Sequence, residues 1–251
     1  MKHLVFQHGY LGGSAQWAAQ SNYFSAHYNV HTPDLPGFGL NNESVSPDTI
    51  GGYADFVLNY LSDKGVEQFD LVGHSMGGMI VQEMVARAPA RITRLVVYGT
   101  GSLGALPGRF EPLSESRRRL DADGLSATGR RISATWFLNR ESAPGYEACA
   151  ALTERASLQA AQAALCAMED WSGERNLNNI ACPTLVLWGD NDRTYNWAQQ
   201  EKLWREIRHA RLSVLAGCAH AVHLEKPDLF NATLDDFLAQ PYNCDNATTG
   251  A

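Results

Sequence analysis

One serine stands between glycines at a spacing suited to nucleophilic chemistry. Residues 73–77 read Gly-His-Ser-Met-Gly, and Gly78 follows. The preceding segment, Phe69–Val72, is predicted to be a strand, and Met76–Arg87 has helical spacing. Between a strand and a helix, this pattern predicts a sharp turn that pushes the serine hydroxyl out over the end of a sheet. Ser75 is therefore the predicted nucleophile.

A serine hydroxyl is a weak nucleophile until a neighbouring base takes its proton. When the serine lies in a strand-to-helix turn of this kind, an acid and then a histidine follow it along the chain. Asp190 and Asp192 come after the predicted strand Thr184–Trp188, and His220 comes after the predicted strand Leu212–Leu215. We therefore expect His220 to move the proton and an aspartate to orient it.

Strands and helices alternate along most of the chain, which predicts how these side chains are positioned. The predicted strands are Leu4–Gln7, Tyr28–Thr32, Phe69–Val72, Ile92–Tyr98, Thr184–Trp188 and Leu212–Leu215. The predicted helices are Ser14–His27, Ile50–Leu61, Met76–Arg87, Trp197–Ile207 and Pro227–Leu238. Short apolar strands separated by helices predict an α/β fold with a mostly parallel, doubly wound sheet.

The alternation is interrupted once. Residues 101–180 are richer in charge and alanine, and their apolar residues fall at helical spacing. This predicts a helical cap, or lid, inserted into a core formed by residues 1–100 and 181–239. The polar segment 240–251 is predicted to be a disordered tail.

Several short motifs together resemble the α/β-hydrolase superfamily. Those motifs are the oxyanion loop His8-Gly9-Tyr10, the loop Asp34-Leu35-Pro36-Gly37-Phe38-Gly39, the elbow at Ser75, the acid turn Gly189-x-x-Asp192, and His220 with Glu225 and Pro227. The resemblance covers residues 3–239 and is looser in the cap. It implies that the usual first strands are missing, since Met1 lies almost against the first predicted strand. The sheet should therefore have about six strands.

The resemblance also implies roles for single residues. The family places the acid three residues after the glycine, which selects Asp192 and leaves Asp190 as a turn residue that bonds its own backbone. The backbone N–H groups of Tyr10 and Met76 should form the oxyanion hole. His223 competes with His220 for the role of base, but a packing or surface role is expected for it.

Within the superfamily, the chain is similar to 3-oxoadipate enol-lactonases and small carboxylesterases. This similarity implies a serine hydrolase that cleaves an ester or an (enol-)lactone of a small organic acid through an acyl-enzyme, with no cofactor or metal. Substrate choice should depend on the cap and loops. The candidate pocket residues are His74, Trp136, Phe137 and Trp171. The candidate partners for a substrate carboxylate are Arg130, Arg131, Arg140 and Arg155.

Three other functions stay open. Hydrolases that cleave C–C bonds in ring-fission products share the fold, but they usually carry Asn where His74 stands and Trp where Ala221 stands. A cofactor-free lyase, similar to hydroxynitrile lyases, would use His220 as a base without an acyl-enzyme. A non-catalytic ligand receptor would have no need of the complete set of motifs.

Composition narrows the partners. The net charge is −7 and no long basic block occurs, which argues against nucleic acid and anionic membranes. The five cysteines contain no C-x-x-C pair, which argues against a disulfide framework or a zinc site. The start has no signal peptide, so a cytoplasmic location is expected. A small-molecule ester or lactone is the expected partner, and the sequence leaves the oligomeric state open.

Overall fold

The computed structural model describes residues 1–240, in which six strands form one sheet with every neighbouring pair parallel. The strands are β1 (Lys2–Gln7), β2 (Tyr28–His31), β3 (Phe69–His74), β4 (Ile92–Tyr98), β5 (Thr184–Gly189) and β6 (Arg211–Leu215). Their spatial order is β2-β1-β3-β4-β5-β6. This confirms the predicted six-stranded parallel sheet. Apart from Gln240, the predicted tail lies outside the described residues.

Nine α-helices connect or follow the strands of this part of the chain. They are α1 (Ala18–Phe24), α2 (Ile50–Asp63), α3 (Met76–Arg87), α4 (Leu113–Ala134), α5 (Tyr146–Thr153), α6 (Leu158–Glu169), α7 (Trp197–Glu206), α8 (Val222–Glu225) and α9 (Pro227–Ala239). Short 3-10 helices cover Ser14–Trp17, Gly39–Asn41, Pro89–Arg91, Arg140–Ser142 and Glu174–Asn179. Across residues 1–240, no helix is both long enough and apolar enough to cross a membrane.

Two helical predictions need correction. The predicted helix Ser14–His27 is a 3-10 turn followed by α1, which ends at Phe24. The chain leaves the helix there through a turn in which the His27 N–H donates to Phe24 O at 3.0 Å. The short helix α8, directly after His220, was missed by the sequence analysis because four residues are too few to show a period.

The sheet is buried on both faces, as a parallel sheet requires. Leu4 and Phe6 of β1 pack with Trp17 and Phe230 on one side. Val5 belongs to the core on the other side. This alternation follows from the two-residue period of a strand. Because both faces are buried, successive residues of a strand are apolar, and the strands appear in the sequence as continuous apolar runs.

The strand order reverses at β1, which lies between β2 and β3. In open parallel sheets, ligands bind at the carboxyl ends of the strands beside such a reversal. The loop after β1 begins with His8, and the turn after β3 contains Ser75. The loop after β1 and the turn that contains Ser75 therefore lie at the edge of the sheet where open parallel sheets bind ligands.

Residues 101–180, here called the insertion, lie between β4 and β5 and contain α4, α5 and α6. Gly124 interrupts α4 with a φ of 80°. The insertion touches the core directly, because a Cβ on Gly37 would lie 2.1 Å from the Cβ of Ala160 in α6. The division of the chain into a core and a separate cap stays a prediction.

Candidate active site

The turn between β3 and α3 holds Ser75 in a strained conformation. Its φ is 58° and its ψ is −122°, outside the regions that most residues with a side chain adopt. The flanking glycines make the turn possible. A Cβ on Gly73 would lie 2.4 Å from Gly77 O, and one on Gly77 would lie 2.4 Å from Gln7 O. The serine itself stays partly exposed, so a ligand can reach it.

His220 and Asp192 form a buried pair. The His220 Nδ1–H donates to Asp192 Oδ2 at 2.8 Å, and both side chains are almost fully buried. Asp192 Oδ1 accepts from the backbone N–H of Thr194 at 2.7 Å and of Tyr195 at 3.1 Å. The carboxylate therefore fixes the histidine tautomer, and the His220 Nε2 is left as the atom that can accept a proton.

Asp190 has another role, and part of its prediction is wrong. Its Oδ1 accepts from the Gly217 N–H at 2.7 Å, not from the backbone of its own turn. This contact ties the loop after β5 to the loop after β6, and these loops carry Asp192 and His220. Asp190 therefore supports the two loops and makes no contact with the His220 ring within residues 1–240.

Ser75 and His220 lie on neighbouring loops without a direct hydrogen bond in the described chain. The ring of His74, next to Ser75, lies 4.4 Å from the His220 ring. The Ser75 hydroxyl lies beside the Tyr195 hydroxyl, whose ring stacks on His220 at 5.6 Å. In enzymes, the hydrogen bond between a nucleophile and its base is often long or poorly aligned until a substrate binds.

A polar network fixes the back of His220. The His220 carbonyl oxygen accepts from His74 Nε2–H at 3.0 Å and from the Tyr98 hydroxyl at 2.9 Å. The Tyr98 oxygen in turn accepts from the His223 N–H at 3.2 Å and Nδ1–H at 3.1 Å. His74 and His223 are buried and belong to this network, so His223 has no surface role. His74 is only 4% exposed and uses Nε2–H on the His220 carbonyl, and its role in a substrate pocket stays a prediction.

Burial keeps these supporting histidines neutral. Desolvation lowers the pKa of His74 well below its usual value, and the neighbouring His220 adds to the effect. Desolvation also lowers the pKa of His223 to about 3. Neutral imidazoles can act as the single donors seen here without placing a positive charge beside His220. The network therefore supplies hydrogen bonds and no net charge.

The loop after β1 approaches the elbow closely. A Cβ on Gly9 would lie 2.8 Å from His74 O and 3.3 Å from Met76 N. The ring of His8 holds this loop, since Nδ1–H donates to Gly9 O at 2.8 Å and Nε2 accepts from the Leu35 N–H at 3.0 Å. Burial lowers the pKa of His8 and favours that neutral form.

Two backbone donors remain open beside the elbow. Within residues 1–240, the N–H groups of Tyr10 and Met76 donate to no other backbone group. Met76 is the first residue of α3, so its N–H also lies at the positive end of the helix dipole. Their role as an oxyanion hole stays a prediction that this geometry permits.

The three predicted aromatic pocket residues lie in different surroundings. The Trp136 ring is 6.3 Å from the His220 ring, and Trp136 O accepts from the Ala221 N–H at 2.9 Å. Phe137 packs edge-on against Tyr146. The Trp171 indole donates to Glu83 Oε1 of α3 at 2.9 Å. Only Trp136 of these three has a ring contact with His220.

Glu225 and Arg193 fasten the insertion to the loops of the pair. Glu225 accepts from the Leu138 N–H at 2.6 Å and from the Ala219 N–H at 2.7 Å. Arg193, next to Asp192, donates to Phe137 O at 2.8 Å and to the carbonyls of Thr135 and Leu138. Residues 135–138 are therefore held against both loops, which places Trp136 beside His220.

Sequence reasoning missed Tyr195 and Arg109. Tyr195 is buried, and burial raises its pKa to about 12, with the nearby Ser75 hydroxyl acting in the opposite direction. Arg109 is half-buried, donates to Glu111 O at 2.7 Å and lies over the Phe110 ring at 4.2 Å. Position after Asp192 was a signal for Tyr195, but Arg109 has no motif that distinguishes it from other arginines of the insertion.

A parallel, doubly wound sheet with a serine elbow after β3 and a later acid–histidine pair defines the α/β-hydrolase class. The chain belongs to the alpha/beta hydrolase family, which it matches over residues 4–233. It is 29% identical to a 2-hydroxy-6-oxo-6-phenylhexa-2,4-dienoate hydrolase of Comamonas testosteroni, across 94% of this chain and 87% of that protein.

Two enol-lactonases are also similar. The chain is 26% identical to 3-oxoadipate enol-lactonase 2 of Acinetobacter baylyi, across 92% of this chain and 86% of that protein. The crystal structure of the enol-lactonase from Burkholderia xenovorans LB400 superposes with a TM-score of 0.86 at 23% identity, across 95% of this chain and 92% of that one. These findings confirm the predicted family resemblance and fold, and they support hydrolase activity in general.

Proposed function

We propose that the chain is a serine hydrolase that cleaves an ester or lactone of a small organic acid through an acyl-enzyme on Ser75. The observation that carries this proposal is the buried His220–Asp192 pair, joined at 2.8 Å beside a serine with a φ of 58°. A backbone under such strain is maintained where the position of the side chain matters. The similar esterases and lactonases agree with this chemistry.

The first half of the reaction forms the acyl-enzyme. Ser75 Oγ attacks the carbonyl carbon while His220 Nε2 takes the hydroxyl proton. Asp192 stabilises the imidazolium that forms. The carbonyl oxygen becomes an oxyanion next to the N–H groups of Tyr10 and Met76. When the tetrahedral intermediate collapses, the ester oxygen leaves with the proton from His220, and the acyl group stays on Ser75.

The second half restores the enzyme. His220 Nε2 takes a proton from water, and the resulting hydroxide oxygen attacks the acyl carbon. The bond to Ser75 Oγ then breaks, and the serine regains its proton from His220. The carboxylic acid is released. For a lactone, the alcohol and the acid are parts of one product.

The insertion acts as a cap in this proposal. Trp136 beside His220 limits the space available to the substrate, because its indole is held by the fastened segment 135–138. The acyl or alcohol group must then fit between this segment and the loop after β1. Residues of the insertion therefore select the substrate, while the sheet supplies the reacting groups.

The test is labelling with a fluorophosphonate, measured as intact mass. Wild-type protein should gain one adduct, Ser75→Ala should gain none, and His220→Ala should react much more slowly. Ser102→Ala is the matched control, because Ser102 is a buried serine just beyond the end of β4 with no part in the mechanism. It should label like the wild type. Turnover of short esters and lactones then follows with the same variants.

Folded wild-type protein without an adduct would remove the nucleophile from the proposal. A base-only lyase that uses His220 would then be the better explanation. Labelling that survives in Ser75→Ala would instead point to another nucleophile.

A second candidate is the hydrolysis of a ring-fission dienoate. The observation in its favour is the 29% identity to the Comamonas testosteroni hydrolase. His74 and Ala221 argue against it, because those hydrolases usually carry Asn and Trp there. Turnover of a 2-hydroxy-6-oxo-dienoate by wild-type protein that leaves esters and lactones intact would favour this candidate over the first.

A further inference from the structure

The imidazole of His220 lies among three aromatic rings. The ring centroid of His74 is 4.4 Å away with a tilt of 39°, and that of Trp136 is 6.3 Å away with a tilt of 50°. The third ring, that of Tyr195, lies 5.6 Å away and is tilted by only 18°. Offset, nearly parallel rings at this separation attract each other beyond the area that they bury. Of the three, Tyr195 is therefore the ring that is stacked on the imidazole.

The backbone of Tyr195 is fixed on both sides of its Cα. Its N–H donates to Asp192 Oδ1 at 3.1 Å, while Asp192 Oδ2 accepts from His220 Nδ1–H at 2.8 Å. Its carbonyl oxygen accepts from the Trp188 indole N–H at 2.9 Å. One carboxylate thus holds both the imidazole and the backbone that carries the stacked ring. The stack is therefore fixed by the same group that orients His220.

The segment that follows β4 lies against both rings. A Cβ on Gly99 would lie 3.2 Å from His220 Nδ1, and a Cβ on Gly101 would lie 3.5 Å from two carbons of the Tyr195 ring. Between these glycines, the Thr100 hydroxyl donates to the carbonyl oxygen of Ser75 at 2.8 Å. Tyr195 is only 2% exposed. Its ring is therefore packed against a segment that also holds the elbow, which limits its freedom to turn away from His220.

We propose that Tyr195 is a positioning residue for the reaction, in which its ring holds the His220 imidazole in place and stabilises the imidazolium that forms when His220 takes the Ser75 proton. This inference rests on the proposed function. The face of an aromatic ring attracts a cation within about 6 Å of the ring centroid. The 5.6 Å separation meets that condition. Asp192 stabilises the charge at the Nδ1 edge of the imidazolium, and Tyr195 stabilises it at the face.

The experiment measures the second-order rate constant of fluorophosphonate labelling, which depends on Ser75 and its base. Tyr195→Leu removes the ring and keeps an apolar side chain. Its labelling should be slower by about 10- to 100-fold, because a small displacement of a catalytic group can cost about 100-fold in rate. Tyr195→Phe keeps the ring and should restore most of the lost rate.

The pH profile of the labelling rate separates this role from ordinary packing. Without the aromatic face the imidazolium is less stable, so His220 should stay unprotonated to lower pH. The acidic limb of the profile should therefore move to lower pH by about half a pH unit in Tyr195→Leu, and by much less in Tyr195→Phe. Other titratable groups around His220 are the same in both variants: Asp192, His74, Tyr98 and His223.

The matched control is Tyr53→Leu, which removes a buried tyrosine of α2 whose hydroxyl is paired with Ser46. This variant should lose stability in the same way as Tyr195→Leu. Its labelling rate and its acidic limb should keep the wild-type values, because Tyr53 has no part in the mechanism.

A further variant decides the test if Tyr195→Leu does not fold, as judged by thermal unfolding. Pentafluorophenylalanine in place of Tyr195 keeps the shape of phenylalanine but removes the negative charge from the face of the ring. Its acidic limb should lie at lower pH than that of Tyr195→Phe. Equal limbs for these two variants would overturn the proposed role.

Three results with folded Tyr195→Leu would also overturn it. They are a rate constant equal to the wild-type value, a slower rate with an unmoved acidic limb, and a Tyr195→Phe variant that is as slow as Tyr195→Leu. With normal labelling of wild-type protein, each would reject only the role of Tyr195 and leave the hydrolase standing. Failure of the proposed function looks different. In that case wild-type protein would show no adduct, and the role of Tyr195 would be rejected with it.

Discussion

The two sides of His220 are built in opposite ways. Behind the ring, His74, Tyr98 and His223 use their hydrogen bonds on one another and on the His220 carbonyl. On the side of Ser75, the backbone N–H groups of Tyr10 and Met76 donate to no other backbone group, and the Tyr10 hydroxyl has no partner, within residues 1–240. The bonds behind the ring are suited to holding one geometry, although the buried His223 Nε2 has no partner among residues 1–240, and the open donors beside Ser75 are suited to receiving a ligand. Polar groups of similar chemistry thus serve positioning on one side and recognition on the other.

The largest effect should come from breaking the acid–histidine pair. Asp192→Asn replaces the acceptor that fixes the His220 tautomer, so we expect kcat to fall by about 10⁴-fold. The measurement is steady-state hydrolysis of a 4-nitrophenyl ester, with circular dichroism to confirm folding. The chain offers a matched control two residues away. Asp190→Asn affects an exposed carboxylate that joins the loop after β5 to the loop after β6. Its main effect should therefore be a lower free energy of unfolding, with a much smaller change in kcat. A greater loss of kcat in Asp190→Asn would reverse the assignment.

Glu225 links the loop that carries His220 to the insertion, and its replacement should have an intermediate effect. In Glu225→Gln, only one of the two side-chain termini can still accept from Leu138 N–H or Ala219 N–H. We expect unfolding to become easier by about 1–3 kcal/mol. We also expect kcat to fall by about tenfold with a smaller change in KM, because Ala219 adjoins His220.

The control for Glu225 is Glu201→Gln, which changes an exposed ion pair on α7. Such pairs contribute about 0–1 kcal/mol, so stability and kcat should stay close to the wild-type values. Equal losses in the two variants would show that Glu225 has no special link to the insertion. A pure KM effect in Glu225→Gln would place its role in substrate binding instead of positioning.

The positions of Ser75, Asp192 and His220 were largely predictable from the sequence, and the side chains that surround them were not. Ser75, Asp192 and His220 stand in fixed relation to strand ends, and strands can be recognised from apolar runs. The parallel sheet then brings those strand ends together. Gly73 is equally local, because a Cβ there would lie 2.4 Å from Gly77 O in the same turn, whereas a Cβ on Gly77 would lie 2.4 Å from Gln7 O of β1.

Arg109 illustrates what spacing does not reveal. It shares its residue type with many neighbours, and only the three-dimensional pairing of Glu111 with Arg131 leaves it unpaired. The network around Tyr98 was missed for a related reason. Its hydrogen bonds join residues more than a hundred positions apart, and no local pattern encodes them. Contacts between distant loops decide both cases.

The smallest effect tests whether the buried histidines behind His220, His74 and His223, are neutral in the folded chain. The pKa of His223 is about 3 in the folded chain and should be near 6.5 when unfolded. Between these values the unfolded chain binds a proton that folded His223 does not. The free energy of unfolding should therefore fall as pH drops below about 6.5, by up to about 1.4 kcal/mol per pH unit for one such group. Above that pH this contribution is constant.

His223→Gln should make the decline between pH 6 and 4 less steep, although the remaining slope from His74 and His8 persists. The measurement is urea unfolding at several pH values, and the slope is compared instead of the absolute stability because the variant also alters the bonds to Tyr98. His27→Gln, which changes an exposed histidine, should keep the wild-type slope. If both variants keep it, His223 is protonated in the folded chain, and the back of His220 then carries a charge that its hydrogen bonds must accommodate.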